Sequence, residues 1–349
     1  MILLRTGESA MRALLATLLI PASIGVLAGA CAAHDEDDAT SDNGALIGGQ
    51  VATTAQFPSN LYLKTGCTAA KVAPKKILTA AHCVFDPAMA SVRFANGSTI
   101  SVSRDPVNGF AEHKVKEVHV HPSWVTACEA QYCAASSVTA LMDAADIALI
   151  ELEDDIEYVP SAEIDTTELV PKTKVVIIGF GCTKGVLVRD DRPNPTLAYA
   201  IGEIAPPQLL DHPGSPIEND KEHEIAAGNY ALTYGPASYR QQAGICPGDS
   251  GGPLYRDEDG KMKIVGVNSN YTFFPDQQDK LGLPVSNWHT RLDGNSRQHI
   301  AEWLQSLGAL SNDSWTKGDG GAGAGKGADQ AGTSDAGTSD AGAQGDAGH

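Results

Sequence analysis

Basic residues are scarce in this chain: 25 lysines and arginines stand against 43 aspartates and glutamates, a formal net charge of −18. So few cations cannot assemble a basic face that neutralises a run of phosphates, which excludes nucleic-acid binding; acidity of this size mainly favours solubility. Aromatic residues are also few, 6% against 36 glycines, a balance that signals many turns or a flexible segment. The seven cysteines include no CxxC pair, and no paired histidines accompany them. The tetrahedral zinc patterns are therefore missing, and neither a metal nor another cofactor is expected.

What is present suits a packed core: 42% hydrophobic residues and 19% charged ones. A length of 349 residues accommodates two ordinary domains or one large all-β unit with tails. Arg5 and Arg12 precede an apolar run from Ala13 to Ala30 that ends in small residues, which reads as an export signal over residues 1–31. Pro21 and Gly25 break that run and argue against a retained membrane anchor. Leu27-Ala28-Gly29-Ala30-Cys31 resembles a bacterial lipobox. That resemblance implies a lipid on Cys31 and attachment to the bacterial cell surface as a lipoprotein. Ordinary cleavage after Ala30 or Ala32, releasing a secreted protein, stays open beside it. With Cys31 set aside, six cysteines remain: Cys67, Cys83, Cys128, Cys133, Cys182 and Cys246. An even number in an exported chain suggests three disulfides.

Residues 32–45 are polar and acidic, too poor in apolar side chains to pack, and read as a linker or propeptide. From Leu46 to about Leu310 short β-branched runs alternate with Gly, Pro and Asn punctuation, notably Lys76 to Thr79, Asp146 to Leu152, Val175 to Gly181 and Lys263 to Asn268. This spacing predicts an all-β sandwich or a pair of barrels. One late segment departs from it. Ile300, Trp303, Leu304 and Leu307 fall at helical spacing, with Asn295 or Ser296 as N-cap and Gly308 as stop. Residues 311–349 are rich in Gly, Ala, Asp and Ser, repeat Ala-Gly-Thr-Ser-Asp at 331–335 and 336–340, and are expected to be a disordered tail.

The strongest chemical signal is Cys246-Pro247-Gly248-Asp249-Ser250-Gly251-Gly252-Pro253, a glycine-dense turn around one serine. Glycines there let the backbone approach a substrate and aim its N–H groups at a developing oxyanion. Alone, such a run is also compatible with an ordinary loop. Thr79-Ala80-Ala81-His82-Cys83 places a histidine at the end of an apolar run, and Asp146-Ile147-Ala148-Leu149 places a carboxylate at the start of another. A lone histidine is more often a core or surface residue, and a lone aspartate before a strand is usually a turn or a cap.

Together, in the order His, Asp, Ser, the three segments resemble the trypsin-like (chymotrypsin-fold, S1 family) serine peptidases over essentially all of residues 46–308. Leu46-Ile47-Gly48-Gly49, Phe57-Pro58, Gly179-Phe180-Gly181 and Lys263 to Ser269 match the same family in the same order. The resemblance implies two six-stranded antiparallel β-barrels, a C-terminal helix and an active site between the barrels. It implies a serine endopeptidase acting on polypeptides, with His82, Asp146 and Ser250 as the triad and the N–H groups of Gly248 and Ser250 as the oxyanion hole. It implies a precursor cut between Ala45 and Leu46, whose new α-ammonium pairs with Asp249, and an activating protease or an inhibitor as partners. It places Gly244 at the floor of the primary specificity pocket, where trypsin itself has an aspartate, Tyr271 at the pocket mouth, Asn287 near its base and Ser269 on the substrate-pairing strand. A preference for small or medium uncharged residues follows. It implies a Cys67–Cys83 bridge beside the histidine; Cys128 with Cys133 and Cys182 with Cys246 are the remaining expected pairs, because no cysteine follows Cys246 to take its usual partner's place. The competing class is a catalytically silent homologue that binds a partner through the same fold. The retained triad argues against it.

Overall fold

The computed structural model describes residues 46–129, 142–188, 196–213, 215–217, 219–275 and 281–310. The leader with Cys31, the 32–45 linker with Ala45, Cys133 and the 311–349 tail lie outside them.

After a short β1 (Gln50–Val51), the first half of the chain supplies β2 (Asn60–Leu63), β3 (Cys67–Ala73), β4 (Lys76–Thr79), α1 (Ala81–Val84), and a small hairpin of β5 (Phe85–Asp86) and β6 (Ser91–Val92). Next come β7 (Thr99–Ser103), β8 (Ala111–Val120), α2 (Pro122–Glu129) and β9 (Ala148–Leu152). Six of these strands close an antiparallel barrel in the order β2-β3-β4-β9-β8-β7. Leu61, Leu63, Ile77, Ile100, Val102 and Leu149 fill it, each at most 1% exposed. Full burial of each such side chain contributes about 1.5–3 kcal/mol.

The second half supplies β10 (Lys174–Gly179), β11 (Ala198–Ala205), α3 (Asp220–Asn229), β12 (Tyr230–Tyr234), β13 (Pro253–Glu258), β14 (Lys261–Thr272), β15 (Ser286–Arg291) and α4 (Ile300–Ser306). Six strands in the order β11-β10-β13-β14-β15-β12 form a second antiparallel barrel, closed by the β11–β12 pairing, and β1 adds to the edge of β11. Val175, Ile177, Leu254, Val265 and Leu46 pack in its interior. The first-barrel core runs on without a break into Ile178, Phe180 and Val267 of the second half and into Ile300 and Leu304 of α4.

At α4 the cap differs from the sequence expectation. The capping position is His299, held in the left-handed region at φ 53°, with no side-chain cap bond of its own. The Ser296 hydroxyl nevertheless accepts the Ile300 N–H at 2.9 Å. Ile300 and Leu304 are buried and Trp303 and Leu307 half-buried, as the helical spacing requires.

Two pairings set up the site. β4 lies beside β9 with Thr79 opposite Ala148, so the residues just after β4 and just before β9, His82 and Asp146, are brought together. β13 follows the glycine-dense turn and pairs with β14, which brings Ser250 beside Ser269 and its neighbours.

Candidate active site

His82 sits in the single turn of α1 and Asp146 enters β9 from the opposite side of the ladder. The His82 Nδ1 lies 2.7 Å from Asp146 Oδ2, and the His82 backbone N–H donates to Oδ1 at 3.0 Å. Ser269 Oγ also donates to Oδ2, at 2.6 Å, so the carboxylate has acceptor bonds on both oxygens. The register of β14 shifts between Asn268 and Asn270, and such a bulge re-aims the side chain it carries, here Ser269. The Asp146 side chain is 2% exposed and that of His82 36%. Burial works against the charge on Asp146, but the His82 charge, its ring and backbone N–H and the Ser269 hydroxyl outweigh it and hold the carboxyl below the usual range. Burial likewise disfavours the His82 imidazolium, and the Asp146 charge and hydrogen bond outweigh it, so the imidazole is more basic than usual. With Nδ1 committed to Asp146, Nε2 keeps the free lone pair.

Ser250 opens on a cleft of about 370 Å³ that His82 and Asp146 also line. The first barrel pins its turn: Thr68 N–H donates to Ser250 O at 2.9 Å, and Thr68 Oγ1 donates to Gly248 O at 2.7 Å. Gly251 has φ +79°, and a Cβ there would stand 2.1 Å from Thr79 Oγ1 and 2.4 Å from Thr68 O, so no larger residue fits. Among the described residues no acceptor takes the backbone N–H of Gly248 or of Ser250. Two donors are thus left free beside the serine hydroxyl.

Asp249, between them, turns away from the cleft into the protein. Its carboxyl accepts the N–H of Gly181 at 2.8 Å and of Cys246 at 2.9 Å, and no cation lies against it among the described residues. Burial pushes its pKa up to about 8. Gly179 and Gly181 make room for it: a Cβ on either would meet a carboxyl oxygen at 2.1 or 2.3 Å. The segment from Leu46 runs beside this socket. Leu46 is 1% exposed and its N–H donates to Cys182 O at 2.9 Å, while Ile47 and Gly244 exchange backbone bonds at 3.1 and 2.9 Å.

The family model for trypsin matches residues 46–283. The chain belongs to the trypsin family. A trypsin of Saccharopolyspora erythraea is 25% identical over 233 residues, covering 64% of this chain and 86% of that protein. Chymotrypsin-like elastase family member 1 of Canis lupus familiaris is 28% identical over 253 residues, covering 68% of this chain and 85% of that protein. A solved structure of a mutant of human heparin binding protein aligns with a TM-score of 0.47 and 16% identity, covering 75% of this chain and 95% of that one. Membership makes the chain a serine-peptidase homologue with polypeptides as the substrate class. Among the described residues no helix is long and apolar enough to cross a membrane.

Within this trypsin-family frame the other sequence-singled residues take varied places. Tyr271 lines the cleft, and its ring packs on the second-barrel core that includes Ala243 and Ile245. Burial pushes its phenol up to about 12, with the Asp249 charge adding to the effect. Gly244 and Asn287 are absent from the cleft wall. Gly244 is hemmed in by Pro236 and Pro284, and Asn287 is fully buried: its Oδ1 accepts Ile245 N–H at 2.9 Å and its Nδ2 donates to Ala243 O at 2.9 Å. Cys67–Cys83 and Cys182–Cys246 are disulfides. Cys128 is also disulfide-bonded, with a partner outside the described residues.

Asn287 begins a buried polar relay that the sequence did not reveal. Asn268 Nδ2 donates to Ile178 O and Asp249 O, so its Oδ1 must accept, and the atom 2.8 Å away is His289 Nδ1. That nitrogen therefore carries the proton, and Nε2 accepts from Thr233 Oγ1 at 2.9 Å. Thr233 in turn accepts from Asn287 Nδ2 at 3.0 Å. Burial pushes the His289 pKa down to about 3, so the relay stays neutral. It ties the backbone at Ala243–Ile245 to the carbonyl of Asp249, one residue before the serine. Asparagine and histidine inside a strand carry no sequence signal for such a role, because both read as surface or turn residues.

Proposed function

We propose that this chain is a serine endopeptidase working through His82, Asp146 and Ser250, made as a precursor and switched on by cleavage between Ala45 and Leu46. The observation that carries this reading is the doubly bonded Asp146 carboxylate on His82, in one cleft with Ser250 and two unused backbone N–H groups.

His82 Nε2 takes the Ser250 proton as Oγ bonds to the scissile carbonyl carbon. The N–H groups of Gly248 and Ser250 receive the oxyanion. His82 then gives its proton to the leaving amine, and a water repeats the sequence on the acyl-enzyme. Asp146 holds the Nδ1–H tautomer and stabilises the imidazolium; Ser269 keeps the carboxylate aimed.

Cleavage before Leu46 frees an α-ammonium. The buried Asp249 carboxyl, raised to about 8 while it lacks a cation, ionises when that ammonium enters its socket. The Leu46–Ile47 segment already packs beside Cys182 and Gly244, which supports this route. Asp249 also neighbours Gly248, so pairing fixes the oxyanion donor. The chain is exported, with Cys31 as lipid attachment or with secretion after the leader, and Cys133 closes the bridge to Cys128.

For the substrate, the Tyr271 ring lines the cleft and packs on the second-barrel core, and no carboxylate stands at Gly244 or Asn287, which favours small or medium uncharged residues at the scissile carbonyl. The test is kinetic. Ser250→Ala and His82→Ala should each lower kcat by about 10⁴-fold or more on a cleaved peptide, and the double variant should be no worse. Substantial turnover by purified Ser250→Ala protein would refute the reading.

A further inference from the structure

Arg93 follows β6 and is the one cation besides His82 among the described side chains lining the cleft. Its neighbours fix its base and leave its tip free. The backbone N–H donates to Val84 O at 2.7 Å and Nε donates to Phe85 O at 3.3 Å, which leaves both terminal nitrogens without an acceptor among the described residues. Four of the other described arginines, Arg240, Arg256, Arg291 and Arg297, each sit against a carboxylate, and the fifth, Arg104, gives both terminal nitrogens to the Thr54 and Tyr158 carbonyls. Nor is Arg93 paired with Asp86 of the adjoining hairpin or with Asp146 of the cleft. Asp86, on the same hairpin, accepts from the N–H groups of Ala88 and Met89, and Asp146 is engaged by His82 and Ser269. The Arg93 charge is nonetheless close enough to oppose protonation of His82.

A guanidinium held at Nε presents a two-pronged fork suited to a carboxylate. In a chain of net charge −18, an unpaired fork at the cleft is a local exception, and screening over about 8 Å at physiological salt lets it act independently of the acidic surface. The direction it serves follows from strand geometry. A substrate bound in extended form alternates its side chains between two walls. The cleft lining includes Ser269–Tyr271 of β14 and, near the β5–β6 hairpin, Phe85, Pro87 and Arg93. With the side chain of the scissile-carbonyl residue placed toward Tyr271, as the peptidase reading has it, the residues on either side of it turn the opposite way, toward Arg93.

We propose that Arg93 selects peptides bearing an aspartate or glutamate immediately beside the residue that supplies the scissile carbonyl. This rests on the peptidase reading above. The site takes a side-chain carboxylate on its fork, with Phe85 and Pro87 receiving the methylenes below it.

The experiment uses peptides that place Glu, Gln or Lys in turn at each of the three positions on either side of one cleaved bond. kcat/KM is measured with the Leu46-started protein and Kd with its Ser250→Ala variant. Glu should exceed Gln by roughly fivefold to tenfold at a position adjoining the scissile-carbonyl residue and be neutral elsewhere. The ratio should fall to about one in Arg93→Gln, invert in Arg93→Glu and shrink in 1 M salt. Equal handling of Glu and Gln at both adjoining positions, or a Glu preference that survives Arg93→Gln, would overturn the assignment. If no peptide is cut but the Ser250→Ala protein still binds the Glu peptides more tightly through Arg93, the peptidase reading falls and this one stands.

Discussion

His82 has neighbours that pull its proton affinity in opposite directions. Burial and the Arg93 charge disfavour the imidazolium, while Asp146 favours it and prevails. The sequence alone gave no reason to expect other than the ordinary histidine value near 6.5; the structure places it above, because Asp146 bonds the ring while itself held by Ser269. The imidazolium cannot accept the Ser250 proton. Activity is therefore lost as pH falls through this raised pKa, and the acid limb of kcat/KM between pH 5 and 9 should have its midpoint above pH 6.5. Asp146→Asn should lower kcat by about 10⁴-fold, because the amide favours the wrong tautomer. An acid limb below pH 6 would contradict the pairing. The same shift affects stability: a pKa raised on folding contributes stability below the unfolded value, and that contribution disappears as pH rises through the folded one. At this scale the sequence singled out His82, Asp146 and Ser250, where the proposed chemistry fixes the residue type, and the fold gathers the three on one cleft. The sequence was least legible where a polar side chain hides in a strand, as at Asn268 and His289, or where a serine expected only on the substrate strand also bonds Asp146.

Among the elements, β14 lines the cleft through Ser269, Asn270 and Tyr271. Its regular alternation is broken at Ser269, so Ser269 faces Asp146 while Tyr271 takes a place on the cleft wall. Tyr271→Gly removes the ring and should raise kcat/KM for large apolar residues at the scissile carbonyl by roughly 10- to 200-fold, with little gain for alanine. A cleavage profile identical to that of the unaltered protein would show that the ring does not limit the pocket. The barrels were readable from short β-branched runs and turn residues, but their closure and order came only through the family resemblance, since period-two patterns specify faces and not partners. Helices α2 and α3 were missed. The residues of α3 are mostly polar, and its signal is local: the Asn219 side chain accepts the Glu222 N–H at 3.1 Å, with acidic residues in the first turn. At α4 the spacing predicted the buried face, whereas the left-handed His299 cap left no mark in the residue types.

Across the whole molecule, the nucleophile turn is held from several sides: Thr68 of the first barrel bonds Gly248 O and Ser250 O, Gly181 and Cys246 bond the Asp249 carboxyl, and the Leu46 segment bonds Cys182 and Gly244. Burial raises the pKa of the Asp249 carboxyl to about 8, and on the proposed activation route an incoming α-ammonium would let it ionise as a buried pair, whose loss costs about 3–5 kcal/mol. The intact and cut chains should differ sharply in how well Ser250 and its oxyanion donors are held. Reaction with a fluorophosphonate, followed by mass mapping of the adduct, tests this most directly, because it requires the nucleophile, its base and the oxyanion hole at once. Protein beginning at Leu46 should take up one equivalent on Ser250, and protein still carrying residues 32–45 should react at least tenfold more slowly. No adduct on the cut protein, an adduct on another residue, or equal rates for the two forms would contradict a cleavage-activated Ser250.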